Sequence, residues 1–83
     1  MIEFNKDMVG KTIFGEPTGN NARRSQELKR FKVISVKRKY VELESESGYT
    51  DLYDKVQGHT QKDFNSGWMN SGYNFFKSIT SRK

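Results

Sequence analysis

"RFKVISVKRKYVELES" occupies residues 30–45 and reads as two strands around a basic link. In its second half, residues 39–45, Val41 and Leu43 alternate with Tyr40, Glu42 and Glu44. One face is apolar and the other polar, which is the period of a half-buried strand. The first half, residues 30–37, is less regular. Phe31, Val33 and Ser35 fall on one face, and Lys32, Ile34 and Val36 on the other, so the apolar residues change sides midway. Such a switch marks a bulge, or a strand that curls into a barrel and partly buries both faces. Arg38 and Lys39 leave room only for a tight link, and the pair is a hairpin.

The flanking segments extend this pattern. Before it, "KTIFGE" at residues 11–16 carries β-favouring Thr, Ile and Phe, with Gly10 as a turn and Val9 at the edge of the core. Pro17 is expected to end that strand, because proline cannot donate to a ladder. After it, "ESGY" turns about Gly48, and "YTDLYDKV" at residues 49–56 returns as a fourth strand. Residues 57–71 are polar apart from Phe64, Trp68 and Met69, and read as a long loop or short irregular helix. In "GYNFFKSI", Phe75, Phe76 and Ile79 have helical spacing, yet residues 73–76 are assigned to a closing strand. Residues 80–83 form a basic tail expected to fray. Five short strands separated by turn signals predict a mainly-β fold: one domain over residues 1–83, a small five-stranded, partly closed barrel. Closure removes edges that so small a sheet could not otherwise protect.

Composition narrows the function classes. A domain of 83 residues has little room for both a core and a deep pocket, and burying only about 60% of its unfolded surface argues against most enzymes. The absence of cysteine excludes disulfides and thiolate metal sites, and fits a reducing, cytoplasmic setting. The single histidine, His59 in "VQGHTQKD", excludes a multi-histidine metal site and reads as an ordinary loop residue. No cofactor or metal is expected. No apolar run nears the ~20 residues that cross a membrane. The acidic, apolar-poor start "MIEFNKDMVGK" does not resemble a signal peptide. A monomer or small homo-oligomer is expected.

The net charge of +5 is unevenly placed. Arg23, Arg24, Lys29, Arg30, Lys32, Lys37, Arg38 and Lys39 stand against Glu27 alone, so residues 23–39 carry +7 and the rest of the chain −2. A block of this kind attracts polyanions; its plainer reading is a solubilising surface.

The motif "VGKTIFGEPTGNNARR", followed by a strand pair around "VKRKYVEL", resembles a group of small uncharacterised β-barrel proteins of phages and mobile elements. The matching positions are Val9, Gly10, Pro17, Thr18, Gly19, Asn20, Ala22, Arg23 and Arg38, Lys39, Tyr40, and they span roughly the first two thirds of the chain. The resemblance implies an SH3-like barrel and a phage origin, hence a host cytoplasm. It supplies no catalytic residue.

Taken on their own chemistry, the residues favour a non-enzymatic nucleic-acid binder, for RNA or single-stranded DNA. Arg23 and Arg24 would clamp phosphates from the Gly19–Asn21 loop, with Asn20 reading base edges or capping backbone groups. Lys37, Arg38 and Lys39 would extend the track, and outward-facing Tyr40 would stack a base. "PTGNNARR" lacks the G-x-x-x-x-G-K-[ST] pattern of a nucleotide-hydrolysing loop. Glu42, Glu44 and Glu46 are expected to form a solvated row opposing lysines of the neighbouring strand. The alternative is a phage inhibitor of a host or defence protein, anchored by Trp68 and Met69, since interface hot spots favour Trp, Tyr and Arg. Trp68 could equally plug the open end of the barrel.

Overall fold

A computed structural model of the chain describes residues 2–19, 22–23, 27–67 and 71–77. After a 3-10 turn at Lys6–Met8, strands β1 (Thr12–Gly19), β2 (Lys29–Val36), β3 (Tyr40–Ser45) and β4 (Thr50–Asp54) follow one another as an antiparallel meander. A short helix, α1 (Gln61–Ser66), then leads into β5 (Ser71–Phe76), which pairs antiparallel with β1. The strand order is β4-β3-β2-β1-β5. The expected mainly-β fold and the fifth strand are both present, and the architecture is a five-stranded antiparallel sheet curled into a partly closed, barrel-like fold. No helix among the described residues is long and apolar enough to cross a membrane.

The switch of faces in β2 is a bulge. Val33 pairs with Leu43, but the next pair is Ser35 with Glu42, so Ile34 is the extra residue. The slip returns Val36 to the inner face opposite Val41 and turns Ser35 outward, where its hydroxyl donates to Glu42 at 3.0 Å. One inserted residue thus lets a strand of irregular pattern keep its apolar side chains on the core side.

Among the described residues, four of the nine buried core side chains are rings. Ile13, Val33, Val41, Leu43 and Phe75 are wholly buried, and Phe4, Met8, Phe31 and Tyr53 complete the cluster. Phe31, Tyr53 and Phe75 meet edge to face with centroids 5.7–6.0 Å apart, the favoured geometry for aromatic pairs. Gly15 makes this possible: a Cβ there would lie 2.8 Å from Phe31 Cε2 and 3.1 Å from Tyr73 Cδ1. Val9 is not part of the core edge but about half exposed; Met8 fills that place.

Pro17 does not end β1, which runs on to Gly19. Pairing with β2 stops at Gly15–Lys29, while pairing with β5 continues through Pro17–Tyr73 to Gly19–Ser71. The Tyr73 N–H points away from β1, donating to the Gln57 carbonyl, so the Pro17–Tyr73 pair exchanges no ladder bonds. The donor that Pro17 lacks therefore faces the side that β2 has already left.

The edge strands β4 and β5 are joined by a turn instead of a ladder. Asp54 N–H donates to the His59 carbonyl (2.8 Å) and Tyr73 N–H to the Gln57 carbonyl (3.3 Å). Gly58 lies so close to β5 that a Cβ would collide with the Tyr73 carbonyl and stand 2.8 Å from the Tyr73 nitrogen; its φ is +71°. The His59 ring rests over Gly72, where a Cβ would meet its Nδ1 at 2.9 Å. His59 is therefore not an ordinary loop residue. It is buried within the seam, with Nε2 3.1 Å from Gln57 Oε1.

Candidate nucleic-acid interface

The barrel divides the cations that the sequence holds in one block. Arg23 is exposed in the connection before β2, and Lys29 and Arg30 open that strand. Lys37, Arg38 and Lys39 follow its far end and are all exposed. Lys29 and the Lys37–Lys39 group are separated by the length of β2, roughly 23 Å at ~3.3 Å per residue. Asn20, Arg24, Trp68 and Met69 lie outside the described residues.

Between the two groups, acidic side chains of β3 offset the charge. Lys32 stands opposite Glu44. Arg30 Nε lies 3.8 Å from Glu46 Oε1, an exposed pair of the kind that stabilises by well under 1 kcal/mol. Arg30 also sits 6.0 Å from the Phe14 ring centroid. The outer face of β2 is thus a mixed surface, with its positive charge gathered at the ends.

At the far end the positive charge gathers around a groove. Lys55 N–H donates to the Lys39 carbonyl at 3.3 Å, which ties the turn after β4 to the link between β2 and β3. Arg38, Lys39, Lys55, Val56 and Gln57 wall a groove of about 540 Å³ over Asp54. Val56 is 76% exposed at its lip. The buried carboxylate of Asp54 is occupied by backbone: Oδ2 accepts from Val56 N (3.0 Å) and Gln57 N (2.7 Å), and Oδ1 from His59 N (2.6 Å). Three N–H donors on one carboxylate occupy its oxygens and hold the turn rigid, while its negative charge remains beneath the cations.

Tyr40 occupies the outer face of β3 opposite Asp54, as its alternation predicts. It is half-buried, and its hydroxyl donates to Asn65 Oδ1 of α1 at 3.3 Å. The helix begins with Thr60, whose Oγ1 accepts from Asp63 N at 3.3 Å. The remaining tyrosines differ in setting. Tyr49 is 68% exposed on the β3–β4 turn, Tyr53 is core, and Tyr73 is half-buried on Phe31, 5.2 Å between centroids. Burial first, then the neighbouring Tyr73, Asp51 and Tyr49, pushes the Tyr53 phenol well above its usual range; burial also raises Tyr73.

Sequence reasoning overlooked Lys55, Val56 and the Asp54 turn, assigning residues 49–56 to one strand. The signal was present: aspartate four residues before a glycine is the composition of a side-chain-capped turn. No protein-family model, curated protein or solved structure matches this chain.

Proposed function

We propose that the protein is a non-enzymatic binder of single-stranded nucleic acid, RNA or DNA, of the phage-borne kind that the resemblance of its first two thirds implies. The observation that carries this reading is the groove at the end of β2, where Arg38, Lys39 and Lys55 surround an opening whose one buried carboxylate is taken up by backbone N–H groups. A phosphate chain meets three cations there against one carboxylate whose oxygens are already engaged by backbone. Lys37 continues the track, and the Tyr40 ring, steadied by Asn65, lies one residue beyond Lys39. Arg23, exposed in the connection before β2, is a separate contact.

Salt titration with Arg38→Ala/Lys39→Ala tests the reading. Each phosphate contact on a single strand contributes about −0.7 to the slope of log affinity against log salt, so the double variant should bind a labelled decathymidylate or decauridylate with a slope shallower by about 1.4. Unchanged affinity and unchanged slope would overturn it.

A further inference from the structure

The opposite end of β2 holds a second opening. Phe31, Tyr53 and Tyr73 form its aromatic floor, and Lys29 and Arg30 stand on its rim with Glu46 across from them; its volume is about 320 Å³. The rings are fixed by their own packing: Phe31 lies 5.7 Å from Tyr53 and 5.2 Å from Tyr73, and Tyr53 lies 6.0 Å from Tyr73. Resting on the proposal of nucleic-acid binding, we infer that this opening is a nucleobase site, in which an unpaired base lies against the tyrosine-lined floor while its phosphate meets Lys29 and Arg30.

Three features argue for a base with its phosphate as the occupant. First, the floor is aromatic and carries phenols, so it offers both ring surface and hydrogen-bonding groups to a planar heterocycle. Both phenols are neutral near pH 7, since their ordinary value is 10.0 and burial raises it further, so they can donate as well as accept. Secondly, the rim charge suits an anion. Among the described residues Lys29 is in no ion pair, and Arg30 has the long exposed contact to Glu46, which a phosphate can displace, and lies 6.0 Å from the Phe14 ring centroid. Glu46 opposes an anion and turns selection toward a ligand that also fills the floor. Thirdly, the site lies the length of β2 from the turn groove, roughly 23 Å, which is about seven nucleotides at the stacked spacing of 3.4 Å. One strand can therefore occupy both, and the second contact benefits from the first through effective concentration.

The test compares decathymidylate, trithymidylate and a ten-unit abasic deoxyribose-phosphate chain, titrated by anisotropy against the wild type, Lys29→Ala and Tyr73→Phe. Tyr73→Phe keeps the ring that packs on Phe31, and Lys29 is exposed, so both variants should fold; circular dichroism checks this. The decamer should bind the wild type more tightly than the abasic chain by at least about five-fold, since one stacked base is worth about five- to 150-fold and Tyr40 offers a second. Lys29→Ala should weaken the decamer but not the trimer, which the turn groove can hold alone, and Tyr73→Phe should narrow the gap between decamer and abasic chain. If decamer and abasic chain bind the wild type equally, or Lys29→Ala weakens trimer and decamer alike, the base site is refuted while nucleic-acid binding stands. If no chain binds, the proposed function fails and the base site with it.

Discussion

Replacing Gly58 by alanine should break the seam between the turn after β4 and β5. Two contributions can be separated. The residue has φ +71°, and a non-glycine residue in the left-handed region is destabilised by about 1–2 kcal/mol. The added Cβ would also collide with the Tyr73 carbonyl and lie 2.8 Å from the Tyr73 nitrogen. Backbone of a paired strand cannot swing aside as a side-chain tip can, so the turn must lift from β5. Lifting breaks the Tyr73–Gln57 hydrogen bond, whose loss is worth about 0.5–1.5 kcal/mol. The total is about 1.5–3.5 kcal/mol, against an overall stability of about 4–12 kcal/mol for a chain of this size. Gly48 provides the control: its φ is +86°, and a Cβ added there would meet nothing within 4 Å. Gly48→Ala should therefore show the conformational contribution alone, about 1–2 kcal/mol. Urea unfolding followed by far-ultraviolet circular dichroism reads both, with midpoints falling by about 1 M per kcal/mol at the slope usual for small domains. Hydrogen exchange at the Tyr73 amide should accelerate in Gly58→Ala only. Equal losses for the two variants, with Tyr73 protected in both, would refute the close docking of the turn on β5.

Asp54→Asn should destabilise by about 2–3 kcal/mol in the same urea assay. One carbonyl cannot accept what two carboxylate oxygens do, and the new amide donors face backbone donors. Alkaline conditions should also weaken the fold. Tyr53 and Tyr73 ionise less readily folded than unfolded, so their contribution is intact below the ordinary tyrosine value of 10.0 and falls as pH climbs beyond it. Absorbance near 295 nm should show part of the tyrosine ionising only as the protein unfolds. Tyr40→Phe removes the hydroxyl bonded to Asn65 but keeps the ring, so it should lower stability by less than about 1 kcal/mol and leave decathymidylate affinity intact. Tyr40→Ala should weaken that affinity several-fold if the ring stacks a base.

What could be read from the chain depended on how local the governing physics was. The alternation of Val41 and Leu43 against Glu42 and Glu44 is a property of one strand, and it placed β3 correctly. The change of sides in β2 signalled its bulge, because a slip of one residue is the only way an extended strand keeps both Val33 and Val36 inward. Pro17 misled because its tolerance rests on where β2 stops pairing, which no residue near Pro17 records. His59 looked polar and loop-like, yet Gly58 and Gly72 let the turn lie against β5 and bury it. The cations show the same limit. They are contiguous along the chain, but a strand of eight residues carries them to opposite ends, and the partner that completes the better cluster, Lys55, comes from β4's following turn.

The turn that crosses from β4 has a consequence for how copies of this chain meet. A bare margin of a small sheet invites a stranger's backbone to zip alongside it. Along β5 the invitation is withdrawn by the molecule itself, since Gln57 takes the Tyr73 amide and the amide of Ile2 occupies the Phe75 carbonyl. Runaway stacking through that margin would first require peeling away both the segment around Ile2 and the glycine-bearing bend, so the same few residues that shape the fold also keep it from growing.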